Sequence, residues 1–320
     1  MRYHFYILIE EVVFISSNNC LFNAITKNLN HYLNTDISEA EIFLCFGGYI
    51  FSVSRNEEAL YNGISITGNW IDFNHFSEFT NVRLELSNYR DDSNLALNYI
   101  INKLTSNNIQ LAIVNSYYLP FDSVNYKKNF GNHLILIEKY NEYEKCFYVT
   151  DQRYNQEMID LKDIIIALTS NFHTDIKLVN MINDGTFDIT RIRGNIPLII
   201  KNNAKKNHDN SKYEFKKLNE SLEEINTLDT FYRSLSYFNL MVSIKSPHGP
   251  ITSKQYLINS SYIKNPFLNN LLKKSILKWE RLCMDLYKAH LNDEILDFRG
   301  KIDSIEELEK KINDTMLEFL

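Results

Sequence analysis

At 320 residues, with 44% hydrophobic and 23% charged side chains, the chain can close one large or two modest cores and is too apolar for a disordered protein. Its net charge of −6 argues against a general nucleic-acid binder, and no apolar run reaches the roughly 18 residues that a membrane span needs. Cysteines at 20, 45, 146 and 283 show neither C-x-x-C pairing nor metal-ligand spacing. That pattern argues against a zinc site or a disulfide framework and suits a reducing cytoplasm.

Taken in order, the apolar residues 5–9 predict a β-strand, because the run is too short for a membrane span and is followed by Glu10 and Glu11. After Asn18-Asn19-Cys20, the spacing of Leu21, Ile25 and Leu29, with Phe22 and Leu33 on the same broad face, predicts a helix packed along one side. Cys20 falls at its start. Unpaired N–H groups and the positive end of the helix dipole lower a thiol pKa there, although a lone cysteine beside an apolar helix is more often a small core residue.

Ser38 with Glu41 has the S-x-x-E form of a capping box, so a second helix begins there and stops at Gly47-Gly48. A strand at 49–53 follows, then a mixed aromatic region with β-like pieces at 63–66 and 82–86. Asp91-Asp92-Ser93 opens a helix with an apolar face that Asn107-Asn108 ends. Strands are predicted over 109–115, 133–137 and 146–150, the last two joined by a turn at 141–144. Helix followed by sheet, without βαβ alternation, indicates an α+β fold.

Residues 161–168 are helical by period, and little strand signal follows. We therefore expect two domains, 1–170 and a mainly helical 171–320 that covers the cleft of the first. The lysine-rich stretch 201–217 reads as an exposed loop with helical flanks. Further helices are expected near 222–244, 266–290 and 305–319, the last capped by Ser304 with Glu307, while Trp279, Leu282 and Leu286 share a core-facing stripe.

The chemistry-bearing residues lie far apart in sequence. His133 opens one predicted strand and Asp151 closes the next, so antiparallel pairing puts them at one sheet edge. A carboxylate there would orient the imidazole, which could deprotonate a thiol at a helix start. Taken singly, His133 fits a hydrogen-bonded strand end and Asp151 a turn or cap. Together with Cys20 they fit the papain-type order of nucleophile, base and orienting acid.

The segments Asn19-Cys20, Ser38-Glu39-Ala40-Glu41 and Phe46-Gly47-Gly48, with Tyr117-Tyr118-Leu119-Pro120-Phe121, Asn132-His133 through Tyr140 and Tyr148-Val149-Thr150-Asp151, resemble the N-terminal domain of the butirosin biosynthesis protein H family. The likeness covers about residues 15–170. Where that family carries His-Cys-Gly, this chain has Asn19-Cys20-Leu21. The resemblance implies a papain-like cysteine-protease fold and a role in antibiotic or other natural-product biosynthesis. It also implies that Cys20, helped by His133 and Asp151, takes an acyl group from a carrier-protein phosphopantetheine thioester and delivers it to a small amine. Partners would be an acyl or peptidyl carrier protein and the amine, with no bound cofactor or metal. Amide formation from a thioester needs no nucleotide, in keeping with the lack of a G-x-x-x-x-G-K-[ST] motif.

The oxyanion would meet the Cys20 backbone N–H and the side-chain amide of Asn18 or Asn19, either of which could equally be a helix cap. Carrier proteins are usually acidic, so Lys127 and Lys128, together with Lys201, Lys205 and Lys206, are candidate docking contacts. Two other functions fit the same residues. A cysteine peptidase or amidase would use water as acceptor, and a binding protein could keep the fold without activity.

Overall fold

The computed structural model describes residues 19–56, 63–69, 71–90, 92–129, 131–170, 175–183, 185–292 and 294–319. The strand expected at 5–9 and the candidate Asn18 lie outside them. The fold is α+β. Its centre is an antiparallel sheet of β3 (Val82–Arg90), β4 (Gln110–Asn115), β5 (Asn132–Asn141), β6 (Cys146–Thr150), β7 (Glu157–Asp160) and β8 (Asp175–Asn183), in the order β3-β8-β4-β5-β6-β7. A separate ribbon pairs β1 (Tyr49–Asn56) with β2 (Gly63–Asn69).

Alternation along the strands divides the apolar residues between two faces. Ile135 and Ile137 of β5 and Ala112 and Val114 of β4 join a core closed by α4 (Ser93–Thr105) and α5 (Leu161–Thr169). Leu134, Leu136 and Leu111 face the opposite, larger core. Into it pack α1 (Cys20–Leu33) and α2 (Glu39–Cys45), together with Phe76 of α3 (Phe73–Thr80). The C-terminal helices complete it: α6 (Ile189–Thr227), α7 (Thr230–Lys245), α8 (Pro250–Asn259), α9 (Pro266–Asn292) and α10 (Arg299–Phe319). Trp279, Leu282 and Leu286 are fully buried there, as their spacing predicts.

Three expectations need correction. The boundary at 170 does not separate two cores, because β8 lies between β3 and β4 in the sheet and the larger core runs from Phe22 to Met316. β8 alternates only over its first half, since Val179, Met181 and Ile182 are half-exposed like Asn180 between them, and this blurs its period. The stretch 201–217 is not a loop but the middle of the 39-residue α6. Its inner face is partly polar because it completes the open edge of β1: Asn207 Oδ1 accepts the Phe51 N–H at 2.9 Å, Glu214 Oε2 accepts the Val53 N–H at 2.6 Å and Lys217 Nζ donates to the Val53 carbonyl at 2.7 Å. Side chains here do the work of a neighbouring strand. Finally, α10 starts five residues before Ser304, with Asp297 accepting the Arg299 N–H, so Ser304 and Glu307 lie inside the helix.

α2 bears out its capping box: Ser38 Oγ accepts the Glu41 N–H, and Glu41 Oε2 accepts the Ser38 N–H at 2.8 Å. Glu41 also accepts from Arg193 of α6 at 2.8 Å and from the Tyr262 hydroxyl at 2.8 Å, which ties α2 to the helical half.

Candidate active site

Cys20 is the first residue of α1, and Asn19 caps that helix by accepting the Leu21 N–H at 2.9 Å. α1 lies on the sheet face beside β5 because Phe22, Ile25 and Leu29 bury on one side. β5 and β6 pair antiparallel with Leu136 opposite Thr150, so His133 and Asp151 emerge at the same edge. His133 Nε2 and Asp151 Oδ2 are 3.0 Å apart. With Nε2 so engaged, Nδ1 is the nitrogen left for the Cys20 thiol, whose pKa the His133 ring lowers.

Both readings of Asp151 hold at once. Its Oδ1 accepts the N–H groups of Arg153 and Tyr154 at 2.6 and 2.7 Å, closing a turn, while Oδ2 takes the imidazole. The turn fixes the carboxylate, and the carboxylate fixes the ring. From α1, Lys27 Nζ donates to the Asp151 carbonyl at 2.6 Å, so the helix that carries the thiol also holds the orienting acid.

The electrostatics suit a charged pair. Burial pushes the Cys20 thiol up, but the His133 hydrogen bond and charge and the backbone N–H groups of Leu134 and Leu21 outweigh it, and its pKa falls below the ordinary thiol value. Burial pushes His133 down, yet the bonds to Asp151 and Cys20 raise it to about 10. Asp151 is lowered because His133 and the Tyr154 and Arg153 amides overcome its burial. The two sites titrate as a coupled unit, a thiolate beside an imidazolium.

The other three cysteines are buried and unbridged, and each pKa is raised, burial being the main cause. Iodoacetamide at pH 7 is therefore expected to modify Cys20 and to spare Cys45, Cys146 and Cys283, which peptide mass mapping would read. Equal labelling of Cys146 would contradict the assignment of a single activated thiol.

Of the remaining candidates, Asn19 is brought to the site as a cap. Its Oδ1 is used by Leu21 and its Nδ2 approaches His248 Nδ1 at 3.3 Å, so its side chain is engaged on both sides. Lys127 and Lys128 are exposed on the loop that leads into β5. Lys128 Nζ donates to the Ser123 carbonyl at 3.0 Å, and Lys127 lies over the Tyr126 ring. Among the described residues no cluster of His, Cys, Asp and Glu could hold a metal ion.

Four residues missed by sequence reasoning also reach the site: Lys27, Glu39, His248 and Tyr256. Tyr256 Oη accepts the Asn19 N–H at 2.7 Å and donates to Glu39 Oε1. A signal existed for His248, which stands in Ser246-Pro247-His248-Gly249-Pro250, a turn too stiff to be a linker. Lys27 follows Cys20 by seven residues, two turns along the same helix face. Nothing local marks Tyr256 or Glu39. Beside Lys27 and Thr150 opens a hollow of about 1270 Å³, bounded also by Ile101, Leu104, Leu136 and Tyr148. It flanks Asp151 rather than the sulfur.

A thiol, an imidazole and a carboxylate arranged in this way are the parts of a cysteine-nucleophile site. Compared with known proteins, the chain matches no family model, and no curated protein matches it.

Proposed function

We propose that the protein is a cysteine-dependent acyltransferase that moves an acyl group from a carrier-protein thioester to an amine, within the papain-like group that includes the butirosin biosynthesis protein H family. The observation that carries this reading is the contact of Cys20 with His133 and of His133 with Asp151. The sequence resemblance supplies the donor and acceptor classes.

In the first half-reaction the Cys20 thiolate adds to the thioester carbonyl. The oxyanion faces the Cys20 amide at the positive end of α1, the bond to the pantetheine sulfur breaks, and the His133 imidazolium gives its proton to that sulfur. In the second, neutral His133 takes a proton from the amine as its nitrogen adds to the acyl carbon. Collapse expels the Cys20 thiolate and leaves the amide. Asp151 keeps the ring in register through both steps. Lys127 and Lys128, exposed beside the strand that bears His133, would meet an acidic carrier.

Intact-mass spectrometry of the protein mixed with acylated carrier proteins tests this directly. An added acyl mass should appear on the wild type, vanish in Cys20→Ala, and be discharged as an amide by a suitable amine. Release only as free acid would assign a hydrolase, and absence of any adduct across a panel of acyl carriers would reject the proposal. The rate of adduct formation should be bell-shaped in pH. The reactive pair exists above the lowered Cys20 pKa and is lost as His133 deprotonates near 10.

A further inference from the structure

All three polar groups of Asn19 other than its carbonyl are held, and two of them are held by the helical half. Oδ1 accepts from Leu21 in its own helix. The backbone N–H donates to Tyr256 Oη at 2.7 Å, and Nδ2 donates to His248 Nδ1 at 3.3 Å. Asn19 and Tyr256 are both buried. These contacts converge on the residue immediately before the reactive sulfur.

Both holders are themselves rigid. The Tyr256 ring stacks on Phe43 at 4.9 Å between centroids and meets Phe22 edge-on at 5.8 Å, so its hydroxyl has one place to be. That hydroxyl donates to Glu39 of α2, and a carboxylate acceptor on one side strengthens the oxygen as an acceptor on the other. His248 is fixed by its turn. Its carbonyl accepts the Gly68 N–H at 2.7 Å, and its N–H donates to Ser246 Oγ at 3.2 Å. A Cβ on Gly249 would stand 2.1 Å from the Ile244 carbonyl oxygen, and one on Gly68 would stand 2.4 Å from Pro250 Cα, so the turn and β2 dock as closely as glycines allow. The ring is also 3.2 Å from Asn69 Nδ2. Burial keeps His248 below the usual histidine pKa, which favours the neutral ring with one nitrogen free to accept the Asn19 amide.

We infer that Tyr256 and His248 are positioning residues for the nucleophile, fixing Asn19 from the helical half and so setting the first turn of α1 and the backbone donors around the Cys20 sulfur. The Leu21 and Leu134 amides, which help hold the thiol pKa down, come from two different elements, and both stay near the sulfur only if the helix start keeps its place against β5. Release of the cap leaves burial, which opposes the charged thiol, less well countered. The charged and titratable groups around the sulfur are His133 on β5 with Asp151 behind it, Tyr256 on α8, Glu39 on α2, Lys27 on α1 and His248 on its turn. The inference rests on the reading of Cys20 as the nucleophile.

The test is the pH dependence of Cys20 alkylation by iodoacetamide in the full-length protein, followed by peptide mass mapping, in wild type, Tyr256→Phe, His248→Ala and His248→Gln. Phenylalanine keeps the ring packing and removes only the hydroxyl. Tyr256→Phe should retain the wild-type circular dichroism spectrum while its alkylation midpoint moves up by about one pH unit, about a tenfold lower rate at pH values below the wild-type midpoint. His248→Ala should move the same way, and His248→Gln, which keeps an acceptor for the Asn19 amide, should stay near wild type. A folded Tyr256→Phe with the wild-type profile overturns the inference. If that variant does not fold, identical profiles for His248→Ala and His248→Gln overturn it. Alkylation needs neither carrier nor amine, so failure of the acyl-transfer reading shows as a missing adduct while this measurement stands. A wild-type midpoint at the ordinary thiol value would remove both.

Discussion

With His133 replaced by alanine, acylation of Cys20 is expected to fall by about 10³- to 10⁴-fold, the range typical of losing a positioned acid–base group. The loss has two sources that add on the same step. His133 supplies the positive charge and the hydrogen bond that hold the thiol pKa down against burial, and it supplies the proton for the leaving sulfur. Single-turnover intact-mass kinetics at pH 7 would read the effect. The fold should survive, because the ring lies at the sheet edge and β5 keeps its pairing with β4 and β6. The Asp151 carboxylate retains the Arg153 and Tyr154 amides. A variant that acylates at the wild-type rate would remove His133 from the mechanism.

The largest effect on stability should come from within the larger core, where Lys254 of α8 and Glu309 of α10 form an ion pair of 2.9 Å with both side chains buried. Tyr49 donates to Glu309 at 2.6 Å and Trp279 Nε1 donates to it at 3.0 Å, with Ser275 as a third donor. The Lys254 ammonium also lies 4.6 Å from the centre of the Tyr49 ring. Lys254→Met leaves the carboxylate buried without its counter-charge and is expected to cost about 3–5 kcal/mol in urea unfolding. Lys254→Met with Glu309→Gln should regain most of that loss, since no charge is stranded, the amide oxygen can still accept from Ser275 and Trp279, and the amide NH2 can donate to the Tyr49 hydroxyl oxygen.

The pH dependence of the single variant follows from the same balance. In the wild type burial raises the Glu309 carboxyl, but Lys254 and the hydroxyl donors bring it below its ordinary value. Without Lys254 the burial effect dominates, and the folded pKa lies above the unfolded one. Destabilisation is then full above the raised folded value and fades as pH falls through it. A deficit that stayed constant from pH 7 to pH 4 would contradict this account.

How much could be read in advance depended on how local the cause was. The start of α1 at Cys20, the Ser38–Glu41 box and the strands bearing His133 and Asp151 each follow from residues within one turn or one strand, and the antiparallel hairpin brings His133 to Asp151 from the sequence period alone. α6 differs from expectation because Asn203, Asn207 and Glu214 on its inner side look like solvent residues until the Gly47 carbonyl and the unpaired edge of β1 are placed against them. The start of α10 was misplaced for a related reason. Two residues could cap it, and the packing of Phe298 and Ile302 into the core favours the earlier one.

At the candidate site the division is sharper. The sequence by itself placed the three candidate side chains, because a helix start, a strand start and a strand end are set by short-range hydrogen bonding and alternation. Only the tertiary structure decided that residues 246–256 would hold the cap of the nucleophile's helix, and that β8 would enter the middle of the sheet from beyond the expected boundary. Such contacts join residues more than two hundred positions apart, as with Asn19 and Tyr256. They exist because a polar group carried into a shared core is costly to leave without a partner, and that partner can lie anywhere in the chain.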